Sequence, residues 1–261
     1  MRVVCIQMDN LSPDPEKNYR TVSERIEQTA TALRPDVITL PEFWNTGYFP
    51  SEDLESASDV NGERTKQLLG GLSKKYSVNI VGGSVSDRRD GAIYNTTYVF
   101  DRDGECVFRY DKIHLLSRSG ENIAYRPGNT FGSFLLDGVC CTAVICYDIR
   151  FPELCRKVAE PPVKVMFVAS QWPQSRAEQF IVLLKARAIE NGIFLVGNTS
   201  TPPDREGPNR GGSAIVGPRG GTLASADSGQ DFISADLEIS DVEKEQSRRP
   251  IWADRRPDLF R

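Results

Sequence analysis

Three side chains able to carry covalent chemistry stand where apolar runs give out. Glu42 lies in VITLPEFW, Lys112 in VFRYDKIHL and Cys146 in TAVICYD. Each has a plain reading: a solvated strand end, a surface lysine, and a thiol used for packing, since free cysteine is among the most buried residue types. Together they suit one chemistry. A thiol is only a few per cent ionised at neutral pH and needs a base or a cation to activate it. A carboxylate whose pKa is raised by burial can be that base. An ammonium close to both would lower the thiol pKa and stabilise the oxyanion of a tetrahedral intermediate. The only histidine, His114, stands two residues after Lys112 and leaves a papain-like Cys–His pair as the competing arrangement. No CxxC pair is present, and one histidine cannot complete the usual zinc ligand sets, so neither a metal nor a cofactor is expected.

Chemistry of this kind needs rigid elements that end at one edge. RVVCIQMD reads as a buried strand rich in β-branched residues, and residues 15–33 repeat apolar positions at helical spacing behind a cap at Ser12 or Asp14. DVITLPE is a second strand and residues 62–76 a second helix. VNIVGGSVS, AIYNTTYVFD and ECVFRYDK follow as three strands joined by turn signals. The grammar then repeats: FGSFLLDG and VCCTAVICY as strands, PELCRKVAE as a short helix opened by Pro152, VKVMFVAS as a strand, and residues 176–190 as a helix that buries Ala186 and Ile189. IFLVGNTS, SAIVGP, TLASAD and DFISADLE close the series. No linker-like composition divides the halves, so 1–261 is read as one domain of two stacked sheets with helices outside. Active sites in layered α/β proteins gather at the carboxyl ends of strands, where Glu42, Lys112 and Cys146 fall.

Composition excludes several classes. With 39% hydrophobic and 26% charged residues, the 261-residue chain is soluble and globular rather than disordered. A net charge of −4 disfavours nucleic acid, whose phosphates need a basic face. No apolar run approaches the roughly 20 residues of a membrane helix, and MRVVCIQMDN lacks the apolar core of a signal peptide. Six cysteines without a regular framework favour free thiols and a cytoplasmic location. Among non-enzymatic readings, a thiol sensor would need exposed cysteines with a resolving partner, whereas Cys140 and Cys141 sit inside an apolar strand.

LPEFWNTGY, YDKIHLL and VICYDIRFPEL resemble, in this order, the three signature segments of the nitrilase superfamily of carbon–nitrogen hydrolases. The resemblance implies a four-layer α-β-β-α sandwich. It also implies roles: Glu42 as general base, Lys112 as oxyanion stabiliser, Cys146 as nucleophile and the backbone N–H of Tyr147 as second oxyanion donor. GENIAYRPGN is similar to the loop that carries a second glutamate seven residues before a glycine. That register gives Glu121 with Gly128 as its marker, and a role in orienting Lys112 and the substrate amide. CYDIRFPEL, ASQWP and KARAIENGIFLVGNTS look most like small bacterial amidases near the omega-amidases, which implies a short dicarboxylic monoamide and water as substrates. Other amidases, carbamoylases and nitrilases share the same triad. Tyr48 and Trp172 are candidate pocket walls. Arg150 is open between anchoring a substrate carboxylate and bracing its turn against Asp148 or Glu153. The resemblance also implies a homodimer in which an arm from about residue 245, with Trp252 and Phe260, docks on the partner; folding back on its own subunit is the alternative.

Overall fold

A computed structural model describes residues 1–8, 13–47, 53–200, 212–226 and 232–259. In chain order its elements begin with β1 (Arg2–Ile6), α1 (Pro15–Leu33), β2 (Val37–Thr39), α2 (Leu54–Ala57), β3 (Asp59–Val60) and α3 (Glu63–Tyr76). Next come β4 (Asn79–Val81), β5 (Val85–Arg89), β6 (Ala92–Phe100), β7 (Cys106–Asp111) and α4 (Glu121–Ala124). The second half holds β8 (Phe134–Leu136), β9 (Val139–Ile145), α5 (Pro152–Val158), β10 (Val165–Gln171), α6 (Ala177–Asn191) and β11 (Phe194–Ser200). It ends with β12 (Ala214–Val216), β13 (Thr222–Ser225), β14 (Phe232–Asp236) and α7 (Ser240–Arg248).

Eight strands form one sheet in the order β14-β1-β2-β4-β6-β5-β3, with β7 on the other edge of β6; six form a second sheet, β13-β12-β11-β10-β9-β8. The centre of each is parallel: β1, β2 and β4 in the first, β9, β10 and β11 in the second. Strand alternation explains the layering. Val37, Val81 and Val99 face the core shared with the second sheet, while Ile38, Ile80 and Phe100 turn the other way beneath α1 and α3. Leu154 and Val158 of α5, with Phe180 and Leu184 of α6, cover the second sheet. Each such side chain, fully buried, contributes about 1.5–3 kcal/mol. The sandwich of four layers is the architecture that the strand and helix pattern predicts.

Local chemistry sets the element ends. Asp14 caps α1 by accepting the Lys17 N–H at 3.3 Å, with Pro15 in the first turn. VNIVGGSVS is two strands rather than one. Gly83 breaks it with φ of 60°, and a Cβ there would lie 2.1 Å from Pro41 O, so the break lets the loop bearing Glu42 pass close. On α6 the register differs from the expected one: Ile189 is 52% exposed and Ala186 half-buried, whereas Arg187 and Ala188 turn inward. The helix α7 also departs from the expected sequence of strands followed by an arm. Its Val242 is buried, and Glu245 accepts Arg219 at 2.8 Å. Beyond it, the Trp252 indole donates to Asn191 O of the same chain at 3.0 Å and Leu259 is exposed. Phe260 lies outside the described residues.

Candidate active site

Four loops deliver the site from the carboxyl ends of these strands. Glu42 stands three residues past β2, and its backbone N–H donates to Ser170 O of β10 at 3.2 Å, which ties the two sheets together at this point. Lys112 follows β7 directly, held by its N–H on Asn95 O and by Gly128 N–H on its own carbonyl, both at 2.9 Å. A Cβ at Gly128 would meet Asp111 O at 2.2 Å, so only glycine lets that strand run so close. Glu121 opens α4. Cys146 directly follows β9 and begins a 3-10 turn over Cys146–Arg150, with φ of 45°. A left-handed conformation in a side-chain-bearing residue costs about 1–3 kcal/mol and persists only where its surroundings enforce it.

Asp148 does the enforcing. It is fully buried and accepts from Tyr110 Oη at 2.7 Å and Ile145 N at 3.1 Å on one oxygen, and from His114 N and Nδ1, both at 2.9 Å, on the other. His114 stacks on Phe151 with 3.6 Å between ring centroids. The histidine therefore serves the turn, and the thiol has a carboxylate for a neighbour instead: the charge of Glu42 acts on Cys146, whose sulfur lies 4.0 Å from Gln171 O.

Lys112, only 2% exposed, donates to Glu42 Oε1 at 2.9 Å and to both Glu121 oxygens at 2.8 and 2.9 Å. Glu42 Oε2 accepts the Gln171 N–H at 2.8 Å, and Glu121 Oε2 the Leu116 N–H at 2.7 Å. Burial, joined by the Glu121 charge, pushes the Glu42 carboxyl above its usual range despite Lys112. Burial and then the Glu42 charge push the Cys146 thiol well up. Burial alone would lower the Lys112 ammonium, but Glu42, Cys146 and Glu121 outweigh it and hold the proton firmly. The resting arrangement is a neutral thiol beside a basic carboxylate, with a fixed positive charge at hand. It can transfer a proton from sulfur to carboxylate while sulfur attacks a carbonyl carbon.

Thus the structure brings Glu42, Lys112, Glu121 and Cys146 together, with half-buried Tyr147 next in the turn. Tyr48 lies outside the described residues. Arg150 and Trp172 border the same turn: the guanidinium carbon is 4.8 Å from the Trp172 ring centroid, and Nη2 donates to Gln179 Oε1 at 3.1 Å. Among the described residues these, and not Asp148 or Glu153, are the partners of Arg150. Trp172 is buried, and its Nε1 has no partner among the described residues. Sequence reasoning missed Asp148, Tyr110, Asn95 and Arg187. Arg187 is buried on α6 and donates to Ile149 O at 3.0 Å, bracing the turn from behind. An aspartate two residues past the cysteine was visible as a signal; the others depend on pairings between distant strands. A groove of about 560 Å³ between α1 and α3 is lined by Tyr19, Arg64, Gln67 and others, none of which belongs to this constellation.

Comparison with known proteins gives the family and the fold. The chain is 33% identical to the 2-oxoglutaramate amidase of Bacillus subtilis (strain 168), an alignment covering 99% of this chain and 98% of that one. Among solved structures, Nit3 of Saccharomyces cerevisiae, a member of branch 10 of the nitrilase superfamily, matches with a TM-score of 0.87 at 25% identity, over 98% of this chain and 96% of that one. A mutant of the amidase from Nesterenkonia sp. AN1 matches with a TM-score of 0.81 at 25% identity, over 99% and 95%; it shows covalent addition of the acetamide moiety of fluoroacetamide at the active site cysteine. The family model for carbon-nitrogen hydrolase matches residues 2–245, and this chain belongs to that family.

Proposed function

We propose that the protein hydrolyses the terminal amide of a short dicarboxylic monoamide, with a 2-oxo acid such as 2-oxoglutaramate as the favoured substrate, and releases ammonia. The observation that carries this reading is the Cys146 thiol, held at a left-handed turn next to a buried cluster in which Lys112 bridges Glu42 and Glu121. As Cys146 Sγ bonds to the amide carbon, its proton passes to Glu42 and the carbonyl π pair moves onto oxygen. Lys112 Nζ and the Tyr147 N–H stabilise that oxyanion. Collapse breaks the C–N bond, and Glu42 returns the proton to nitrogen, which leaves as ammonia. Water then attacks the thioester and gives a proton to Glu42; the C–S bond breaks and the thiol is restored. Glu121 keeps Lys112 in place and orients the amide.

The 2-oxo dicarboxylic class is supported by the Bacillus relative and by Arg150, a cation at the rim of the nucleophile turn. In this reading Arg150 holds the distal carboxylate, with Tyr48 and Trp172 as pocket walls. Six free thiols, one of them the nucleophile, support a reducing, cytoplasmic setting. The segment from 245 is read as the part of this single domain that meets a partner subunit in a homodimer. Ammonia release from a panel of 2-oxoglutaramate, glutamine, asparagine and a simple nitrile tests the activity; no release from any of the amides overturns it. Arg150→Lys tests the anchor: KM should rise by a factor worth roughly 1–3 kcal/mol for carboxylate-bearing amides and stay level for neutral ones.

A further inference from the structure

Glu42 and Glu121 are bridged by more than the lysine. Asn95, fully buried on β6, donates through Nδ2 to Glu42 Oε1 at 2.9 Å and to Glu121 Oε1 at 3.1 Å. Its Oδ1 has no partner among the described residues, so the side chain is placed for its donor end. The neighbours fix its orientation, because the flipped amide would set an oxygen against two carboxylates. A carboxylate oxygen has about two lone-pair sites. On Glu42 Oε1 both are taken, by Lys112 and by Asn95. Oε2 accepts only the Gln171 N–H among the backbone and side-chain N–H donors, which leaves one lone pair for the thiol proton.

We propose that Asn95 is a positioning residue that saturates Glu42 Oε1, so that the proton exchanged with Cys146 is carried on Oε2 alone. The inference rests on the reading of Glu42 as the base. Its residue type follows from the charge already present. Two carboxylates share one ammonium here, and a second cation would stabilise the charged form of Glu42 until it was a poor base. A neutral amide supplies two hydrogen bonds, separates the like charges and leaves Glu42 basic. Because the bond from Asn95 to Glu42 favours the charged form of that carboxylate, its loss raises the Glu42 pKa.

The test compares wild type with Asn95→Leu, close in size but without a donor, and Asn95→Ser, which can give at most one hydrogen bond. Two profiles are read against pH: kcat/KM for 2-oxoglutaramate, and the rate of Cys146 alkylation by iodoacetamide, followed by mass. The acid limb of both should move up by about 1–2 pH units in Asn95→Leu and by less in Asn95→Ser. KM should change less than kcat. A brace that served the fold alone would lower Tm and leave both limbs where they are, and that result overturns the proposal. So does a pair of variants neither of which folds, since Asn95 then belongs to the fold. Should wild type release no ammonia from any amide while the alkylation limb still shifts, the amidase reading falls and the assignment of Asn95 stands. Normal wild-type hydrolysis with unmoved limbs in both variants overturns the assignment of Asn95 and leaves the amidase reading standing.

Discussion

Replacing Asp148 by asparagine should damage the nucleophile without touching it. The carboxylate receives four hydrogen bonds, two on each oxygen: Tyr110 Oη and Ile145 N on one side, His114 N and Nδ1 on the other. Asparagine has the same shape but must present an NH2 to one pair. Facing the first pair, the Tyr110 hydroxyl can rotate and accept, but the Ile145 N–H is left unpaired. Facing the second, the imidazole can accept in its other tautomer, but the His114 N–H is stranded. Either orientation orphans one buried backbone donor, which costs about 1–3 kcal/mol, and the remaining bonds lose their charge assistance. The sum is about 2–4 kcal/mol, since removing a buried charge recovers some desolvation. For a chain of this size, Tm should fall by roughly 2–4 °C per kcal/mol. Ile145 adjoins Cys146, whose left-handed φ of 45° is then free to relax. A sulfur misplaced by about 1 Å costs on the order of 100-fold in rate, so kcat should drop by that much with KM little changed. Tyr110→Phe is the control, because it removes one donor and leaves both backbone clamps. Thermal melts and steady-state ammonia release read both effects. If Asp148→Asn melts like wild type and keeps kcat within threefold, the clamp argument is wrong.

Cys146→Ala should abolish ammonia release and iodoacetamide labelling at this position while melting near the wild-type temperature; turnover in that variant would refute thioester catalysis. Lys112→Met should cost about 100- to 1,000-fold in kcat through the lost oxyanion donor, and its buried carboxylates should then bind protons more readily. An unchanged rate would return Lys112 to a purely structural role. The pH dependence has a definite sign. Below its pKa Glu42 carries the proton and cannot accept another, and burial has raised that pKa. The acid limb of kcat/KM should therefore lie above about 4.3, the ordinary glutamate value, and vanish in Glu42→Gln with a loss of orders of magnitude. A limb at or below that value would contradict the burial argument.

What was legible in the sequence follows from what is local. Helix α1 announced itself through a cap, a leading proline and apolar spacing, and α3 through apolar spacing alone. Glu42, Lys112 and Cys146 were visible because each stands where an apolar run gives out and carries a group able to do chemistry. Asn95 gave no such signal: in AIYNTTYVF it reads as one polar residue in an alternating strand, and its value depends on β6 lying beside the loops of Glu42 and Glu121. Arg187 gave no signal for a related reason. An arginine on a helix is normally assigned to solvent, whereas Arg187 is held inside by Ile149 O on the nucleophile turn and by Glu190. The break at Gly83 was equally hidden, since its positive φ and the close passage of Pro41 both arise from how the chain folds there.

The charge count explains why such a site can rest safely and still react. Glu42, Glu121 and Lys112 together carry one net negative charge in a buried space. Ionising the thiol to solvent would add a second, which burial and Glu42 both oppose. Moving the same proton from sulfur to Glu42 leaves the total unchanged, so in the proposed mechanism the thiolate forms only as Glu42 becomes neutral. In that proposed mechanism Lys112 then faces the new negative charge on sulfur, and afterwards the one on the substrate oxygen, without moving its own proton, which its acidic neighbours hold tightly. A free thiolate of this kind would be open to oxidation at all times. A thiol that ionises only by internal transfer is unreactive until a carbonyl carbon is near enough to take up the electron pair. That is why the acid, the base and the cation must all be buried together, and why the fold brings them from both sheets to one point.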